Sequence, residues 1–261
     1  MEILKRIKNK ISTRYSIESR ELRRIAAIPR YRNGETKLLG ESIEFVDSIS
    51  FLHGYQEIFV DLIYKFNTKV ESPRIIDCGA NIGLASIYFK RMYPNSKIIC
   101  FEPDPKIFEV LKRNLKVFKC DDVELVNCAI SDKNGTSNFY SEGGFSGSLD
   151  NPVSKDQYLV ETKKLSGYLS EKVDFLKIDI EGAENFVIPE IQNSLCSVEN
   201  IFIEYHSHYK KEQKLDEILF ILKKEGFRYH ILEAFGRSEP FINRKTMLGM
   251  DCQLNIIAFR E

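Results

Sequence analysis

The stretch that most constrains the fold is residues 75–83, Ile-Ile-Asp-Cys-Gly-Ala-Asn-Ile-Gly, which a helix-like segment follows from Leu84. An apolar strand, a glycine-containing turn and a helix in this order predict the first βα unit of an α/β nucleotide-binding fold. A dinucleotide site requires Gly-x-Gly-x-x-Gly, which lets a pyrophosphate lie at the helix N-terminus. Here Asn81 replaces the middle glycine, and the carboxylate of Asp77 would repel a pyrophosphate. The turn instead favours a ligand that carries an ammonium group, such as S-adenosylmethionine (SAM).

Two further acids follow apolar runs in the same way. Glu102 comes directly after Lys97–Phe101, and Asp179 ends a run that begins at Phe175. In nucleotide-binding α/β folds, an acid at the end of the second strand accepts hydrogen bonds from ribose hydroxyls. Because ligands bind outside the carboxyl ends of parallel strands, we expect Asp77, Glu102 and Asp179 to project into one crevice.

Composition narrows the class of protein. The 261 residues suit one α/β domain with a small addition, and 38 basic residues balance 38 acidic ones, so no nucleic-acid partner is expected. The six cysteines form no Cys-x-x-Cys pair, which is typical of reduced residues rather than of a disulfide frame or a zinc site. No apolar stretch reaches the roughly 18 residues of a membrane span. The charged N-terminus lacks a signal-peptide core, so we expect a cytoplasmic protein.

The first 54 residues differ from the rest. Ten of the first 32 residues are basic and three are acidic. Four apolar residues recur there at helical spacing: Ile3, Leu4, Ile7 and Ile11. This pattern suits an amphipathic helix that contacts a membrane surface, an anionic partner or a second subunit, but also a solvated helix at the domain edge. Lys37–Leu39 and Ile43–Val46 then predict a short β-hairpin, and a helix is expected over Tyr55–Phe66.

From Arg74 onward, strand-like and helix-like segments alternate, which predicts a mostly parallel sheet with crossover helices. The seven strand candidates are Arg74–Asp77, Lys97–Phe101, Val123–Asn127, Phe175–Asp179, Ile201–Tyr205, Tyr229–Leu232 and Gln253–Phe259. The helix candidates are Leu84–Tyr93, Pro105–Phe118, Ala183–Ile191 and Lys214–Glu225. Two extra strands, Thr136–Tyr140 and Gln157–Thr162, are expected around a glycine-serine loop at Gly143–Ser148.

Several polar side chains near the later strands are candidates for chemistry. Lys177 lies inside an apolar strand and needs an acidic partner, unless it faces the reacting hydroxyl. His206 or His208 can serve as a general base, although either also suits a surface loop. Alternatively, Asp179, Glu204 and His206 can hold a divalent cation that orients a substrate hydroxyl.

Together these motifs resemble the FkbM-type SAM-dependent methyltransferases. The resemblance runs from about Tyr55 to Tyr209 and rests on five segments: Tyr55–Glu57, Asp77–Gly83, Phe101–Pro103, Asn127–Asp132 and Lys177–Glu184. It implies a Rossmann-like methyltransferase fold of the α/β class, with a mostly parallel seven-stranded sheet and helices on both faces. Gln253–Phe259 would be one antiparallel strand near the edge of that sheet.

The resemblance also implies which residues bind SAM. Those expected at the methionine end are Glu57, Asp77, Gly79, Asn81 and Gly83. Those expected at the ribose, the adenine and the transferable methyl group are Glu102, Asn127, Ala129 and Asp179. The implied arrangement is a SAM molecule that lies across the ends of three strands.

Members of this family commonly methylate oxygen on sugars or natural products. We therefore predict an O-methyltransferase that acts on a hydroxyl of a sugar or glycan precursor, with Asp179 or His206 as the base and Lys177 or Glu181 shaping the site. Two alternatives are methyl transfer to RNA or protein, and a non-catalytic binding module that retains the fold. Residues 1–54 would then form an N-terminal extension and residues 55–261 the methyltransferase domain.

Overall fold

The computed structural model describes residues 17–141, 147–149, 156–209, 211–234, 239, 241–242 and 249–261. The helix expected around residues 3–11 and most of the glycine-serine loop lie outside the described residues. The helices are α1 (residues 17–26), α2 (Ser48–Tyr55, continued by a π-helical turn at Gln56–Val60), α3 (Leu84–Met92), α4 (Pro105–Val117), α5 (Glu184–Ile191) and α6 (Leu215–Lys224). Short 3-10 turns lie at Leu165–Tyr168 and Gln192–Ser197.

The strands fall into three sheets. They are β1 (Gly34–Thr36), β2 (Ile43–Phe45), β3 (Arg74–Cys78), β4 (Lys97–Phe101), β5 (Glu124–Val126), β6 (Ala129–Ser131), β7 (Gly135–Ser141), β8 (Gly147–Ser148), β9 (Asp156–Lys164), β10 (Val173–Ile178), β11 (Val198–His208), β12 (Arg228–Glu233) and β13 (Met250–Phe259). The central sheet has the order β12-β13-β11-β10-β3-β4-β5. Strand β13 is antiparallel to both of its neighbours, and the other pairs are parallel. The predicted Rossmann-like methyltransferase fold, with its antiparallel strand, is confirmed.

Both faces of this sheet are covered by helices. Ile75 and Ile76 are neighbours on β3 and point to opposite faces, as successive strand residues do. Ile75 packs in a cluster with Phe89 of α3, whereas Ile76 packs in a second cluster with Val187 of α5. Because each face is buried, the strands are continuous apolar runs, which explains why they were recognisable in the sequence.

The N-terminal hairpin is present, but its first strand was placed wrongly. Strands β1 and β2 pair antiparallel, with Thr36 opposite Ile43. The predicted first strand, Lys37–Leu39, instead lies in the turn between them, which closes at Gly40 with φ +94°. Leu39 lies in the turn but its side chain is buried in the core. The apolar sequence of the turn therefore resembles that of a buried strand.

The helix predicted over Tyr55–Phe66 begins earlier and ends earlier. Asp47 caps it, since its carboxylate accepts a hydrogen bond from the backbone N–H of Ser50 at 3.0 Å. Helix α2 therefore starts at Ser48, and its π-helical continuation ends at Val60. An N-terminal cap of this kind stabilises a helix by about 1 kcal/mol.

The N-terminal segment and the sheet domain share one hydrophobic core. Phe45 and Phe51 pack in the same cluster as Phe89 of α3. The side-chain amide of Asn114 on α4 ties the segments together, because it donates to the backbone oxygens of Glu44 and Ile82 at 2.9 Å each. Residues 54 and 55, where the domain boundary was expected, both lie in α2.

A second sheet has four strands in the order β6-β9-β7-β8. The predicted extra strands are confirmed as β7 and β9, which pair antiparallel. Strand β6 was not predicted, because Ala129-Ile130-Ser131 is too short to show an alternating pattern. It pairs in parallel with β9 and places Ala129 and Ile130 at the cavity described below.

None of the helices in the described part of the chain could span a lipid bilayer. All six cysteines are free thiols, and Cys78, Cys100, Cys120 and Cys128 are buried. They pack as small apolar side chains.

Candidate active site

A cavity of about 270 Å³ lies at the carboxyl ends of β3, β4, β10 and β11. Nine residues that the sequence predicted for the site line it: Glu57, Gly79, Asn81, Glu102, Ala129, Lys177, Asp179, Glu181 and Glu204. Five candidate residues do not line it: Asp77, Gly83, Asn127, His206 and His208. The nine lining residues come from six separate parts of the chain, and all but Glu57 belong to strands or to the segments that follow them.

The turn between β3 and α3 forms one wall. Gly79, Asn81 and Gly83 all have positive φ, at +83°, +48° and +93°. A Cβ on Gly79 would lie 1.8 Å from the backbone oxygen of Asp179, so only glycine fits between the two strand ends. Gly83 is the N-cap of α3 and supplies no side-chain hydrogen bond to the helix. The first backbone N–H groups of α3 are therefore not capped by that residue, and this end of the helix faces the cavity through Leu84.

Asp77 has a different role from the one expected. It is fully buried, and its carboxylate lies 3.3 Å from the Nζ of Lys177 and accepts a hydrogen bond from the Ser86 hydroxyl at 3.0 Å. The expectation that Asp77 meets the ammonium group of SAM directly is therefore corrected. Asp77 acts on the cavity through Lys177.

Lys177 lines the cavity and links the residues that follow β3 and β10. Its Nζ lies 3.2 Å from the Asp179 carboxylate and donates to the backbone oxygen of Gly79 at 2.9 Å. Burial disfavours the charged ammonium, but Asp179 and Asp77 outweigh it and hold the pKa of Lys177 well above its usual value. Of the two roles considered for this lysine, the structure shows the ion pair with neighbouring acids.

Glu102 follows β4 and faces the β3–α3 turn. One carboxylate oxygen accepts the backbone N–H of Asn81 and the other accepts that of Asp104, both at 2.9 Å. Burial raises the pKa of Glu102 to about 8, although these two backbone bonds oppose the shift. Asn127 stands behind this segment and donates to the backbone oxygen of Glu102 at 2.7 Å. It therefore positions Glu102 and is not part of the cavity wall.

A carboxylate-rich wall, formed by Asp179, Glu181 and Glu204, closes the cavity on the β10–β11 side. Burial, followed by the charge of Asp179, raises the pKa of Glu204 well above its usual range. The side-chain amide of Gln253 donates a hydrogen bond to Glu204. Glu181 has φ +56°, an uncommon conformation for a residue with a side chain, and Gly182 after it has φ +103°.

His206 lies behind this wall and is only 1% exposed. Its Nδ1 is 3.0 Å from a carboxylate oxygen of Glu184, which is itself fully buried. Burial opposes protonation, but Glu181 and Glu184 raise the pKa of His206 well above its usual value. His208 lies outside the cavity lining, and burial lowers its pKa.

Sequence reasoning missed the contribution of the N-terminal segment. Arg30, Ser50 and His53 all line the cavity. The Nδ1 of His53 lies 3.2 Å from the Glu57 carboxylate, and this contact raises the pKa of His53. The spacing of His53 and Glu57, one helical turn apart, was the signal that could have revealed the pair.

The part of the chain that carries the β3–α3 turn, Glu102 and the carboxylate-rich wall has known relatives. Residues 77–229 match the model of the methyltransferase FkbM domain. The chain belongs to the FkbM methyltransferase family. It therefore carries a SAM-dependent methyltransferase domain, and the matched segment spans the β3–α3 turn, Glu102 and the carboxylate-rich wall.

Three members of the family illustrate the range of similarity. Methyltransferase sdnD of Sordaria araneosa is 32% identical over 188 residues, which cover 58% of this chain and 73% of that protein. Methyltransferase 1 of Beauveria bassiana is 29% identical over 183 residues, which cover 60% of this chain and 73% of that protein. The 2-O-methyltransferase NoeI of Sinorhizobium fredii is 30% identical over 174 residues, which cover 58% of this chain and 71% of that protein.

Proposed function

We propose that this FkbM-family protein transfers a methyl group from SAM to a hydroxyl oxygen of a sugar or glycan precursor. The observation that carries the proposal is the cavity itself, where Glu102, a glycine turn and a carboxylate-rich wall meet at the strand ends. The name of the relative NoeI, a 2-O-methyltransferase, supports oxygen as the acceptor atom.

The cavity residues fit SAM in three places. Glu102 is positioned to accept hydrogen bonds from the ribose hydroxyls. The N-terminus of α3, which has no side-chain cap, suits the carboxylate of the methionine part, since helix N-termini favour anions. Glu57 and Asp179 offer negative charge to the ammonium group, which removes the need for Asp77 to contact it.

The proton of the acceptor hydroxyl must leave as the new bond forms. Bound SAM supplies a methyl group on a sulfonium, so the C–O bond forms as the C–S bond breaks and sulfur keeps the electron pair. His206 is buried behind the wall, and Asp179 is held by Lys177. Glu204 lines the cavity, and we assign the proton to its carboxylate. Asp179 then aligns the hydroxyl, with Lys177 fixing its orientation.

Methyl transfer from SAM to hydroxyl compounds tests this function. We expect calorimetry to show one SAM per chain, and labelled SAM to give an O-methyl ether on at least one member of a panel of monosaccharides and nucleotide sugars. The matched deoxy sugar, which lacks the acceptor hydroxyl, serves as the control and should give no product. Failure of pure, folded protein to bind SAM, or methyl groups found only on nitrogen or on RNA, would contradict the proposal.

The affinity for the ribose end is expected to rise with pH. Because the pKa of Glu102 is about 8 in the free protein, most of the carboxyl is protonated at pH 7 and must lose its proton to accept two ribose hydroxyls. Affinity should therefore be about tenfold lower at pH 7 than at pH 9. Adenosine is the better probe, since the amino group of SAM itself titrates near pH 8.

Calorimetry with adenosine at pH 6.5 to 9 measures this effect. The Glu102→Gln variant should bind at least tenfold more weakly at pH 9 and lose the pH dependence. Glu109→Gln, on the exposed face of α4, is the matched control and should retain the wild-type profile. If Glu102→Gln keeps the wild-type pH dependence of adenosine binding, Glu102 does not bind the ribose.

A further inference from the structure

The two ring nitrogens of His206 have different surroundings. Nδ1 is at hydrogen-bond distance from Glu184, at 3.0 Å. Nε2 is buried and makes no hydrogen bond to any residue in the described ranges. Its neighbours are carboxylate oxygens of Glu181 at 3.5 Å and Glu204 at 3.7 Å. A buried polar atom without a hydrogen bond is uncommon in proteins and points to a ligand or ion.

This arrangement is typical of a histidine that binds a metal ion. Metal-binding imidazoles almost always donate their second N–H to a carboxylate, a backbone carbonyl or water, which fixes the tautomer and the orientation of the ring. Glu184 is fully buried and lies on the Nδ1 side of His206. Its contact leaves Nε2 facing the carboxylate-rich wall. The imidazole is therefore oriented by the fold before any ligand arrives.

The spacing of the possible ligand atoms is also close to that of a metal site. Nε2 of His206 and one carboxylate oxygen each from Asp179 and Glu181 all lie within 4.8 Å of one another. Two ligands that share one ion at about 2.1 Å can be separated by up to about 4.2 Å. Small side-chain shifts would therefore complete the coordination.

The charge balance favours a cation as well. Carboxylate oxygens of Glu181, Glu184 and Glu204 lie within 3.7 Å of the ring nitrogens of His206. A carboxylate oxygen of Asp179 lies within 4.8 Å of a ring nitrogen. Lys177 is the nearby ammonium, and it is already shared between two acids.

We propose that Asp179, Glu181 and His206 bind a divalent cation of the first transition series, such as Mn²⁺ or Zn²⁺. One imidazole nitrogen with carboxylate oxygens suits these ions, whereas Mg²⁺ and Ca²⁺ prefer oxygen ligands alone. The set differs from the one expected from sequence, because Glu181 replaces Glu204. At the cavity wall the ion would bind the acceptor hydroxyl and lower its pKa, a role that rests on the proposed function.

Metal binding can be measured without any methyl acceptor. Metal-free protein is titrated with MnCl2 and followed by electron paramagnetic resonance, and then with ZnCl2 by calorimetry. We expect one ion per chain, and at least tenfold weaker binding in Glu181→Gln and in His206→Gln. Glu199→Gln is the matched control, because Glu199 is on the same strand as His206 but pairs with Lys172. It should bind the ion like the wild type.

Two results would overturn the site. One is no binding of either ion to folded protein at millimolar concentration, which would leave His206 as a protonated partner of the acids. The other is binding that Glu181→Gln and His206→Gln leave unchanged. If His206→Gln does not fold by circular dichroism, Glu181→Gln and Asp179→Asn decide the outcome. SAM titration of the metal-free protein is separate, so loss of SAM binding with intact metal binding would reject the proposed function alone.

Discussion

Replacing Gly79 with alanine is expected to lower the free energy of unfolding by at least about 3 kcal/mol and to abolish SAM binding. The added Cβ would lie 1.8 Å from the backbone oxygen of Asp179 and 3.0 Å from its carbonyl carbon. Backbone atoms cannot rotate away as a side chain can, so the β3–α3 turn and the end of β10 would have to separate. That movement displaces both the turn and Asp179. Urea denaturation measures the stability, and calorimetry with SAM measures the binding.

Gly40→Ala separates this steric effect from the cost of the backbone conformation. Gly40 also has a positive φ, at +94°, but no atom lies within 4 Å of the position of its Cβ. The substitution should cost about 1 kcal/mol, the usual penalty for a left-handed conformation, and leave SAM binding unchanged. Equal losses of stability in the two variants would show that the close approach to Asp179 is unimportant.

The central sheet could be predicted because its physical signal is local. Strands buried on both faces are mostly apolar, and an acid or a glycine follows each of β3, β4 and β10. Strand β11 shows the limit of this signal. It was predicted to end at Tyr205 but continues to His208, because its polar last residues pair with β13. Backbone pairing with a distant strand leaves no trace in the composition of the segment.

The site could be predicted in outline for the same reason. Glu102 and Asp179 follow strand ends, and parallel strands bring such positions to one edge. The pairing of Lys177 with Asp77 was harder to foresee, because it depends on their being register partners on adjacent strands. The place of Arg30 in the cavity lining was not visible in the sequence. It arises from packing of the N-terminal segment against the sheet domain, which no local pattern encodes.

Lys177→Met is expected to cost about 3–5 kcal/mol of stability, because it leaves the fully buried carboxylate of Asp77 without its cation. Methionine is close in volume, so the loss reflects charge more than packing. An unpaired buried carboxylate has a raised pKa in the folded state, and a raised pKa means that stability falls as pH rises above the unfolded value of about 4. The deficit relative to wild type should therefore shrink toward acidic pH. Urea denaturation at pH 4.5 and pH 7.5 measures this difference.

Two further variants identify the charge as the cause. Asp77→Asn combined with Lys177→Met removes both members of the pair, and it should recover part of the stability because no buried charge is left unpaired next to Ser86. Lys172→Met removes an exposed ammonium that pairs with Glu199, and it should cost less than about 1 kcal/mol. If the double variant is no more stable than Lys177→Met at pH 7.5, the lysine contributes through packing and through its bond to Gly79. In that case the ion pair with Asp77 does not account for the stability that is lost in Lys177→Met.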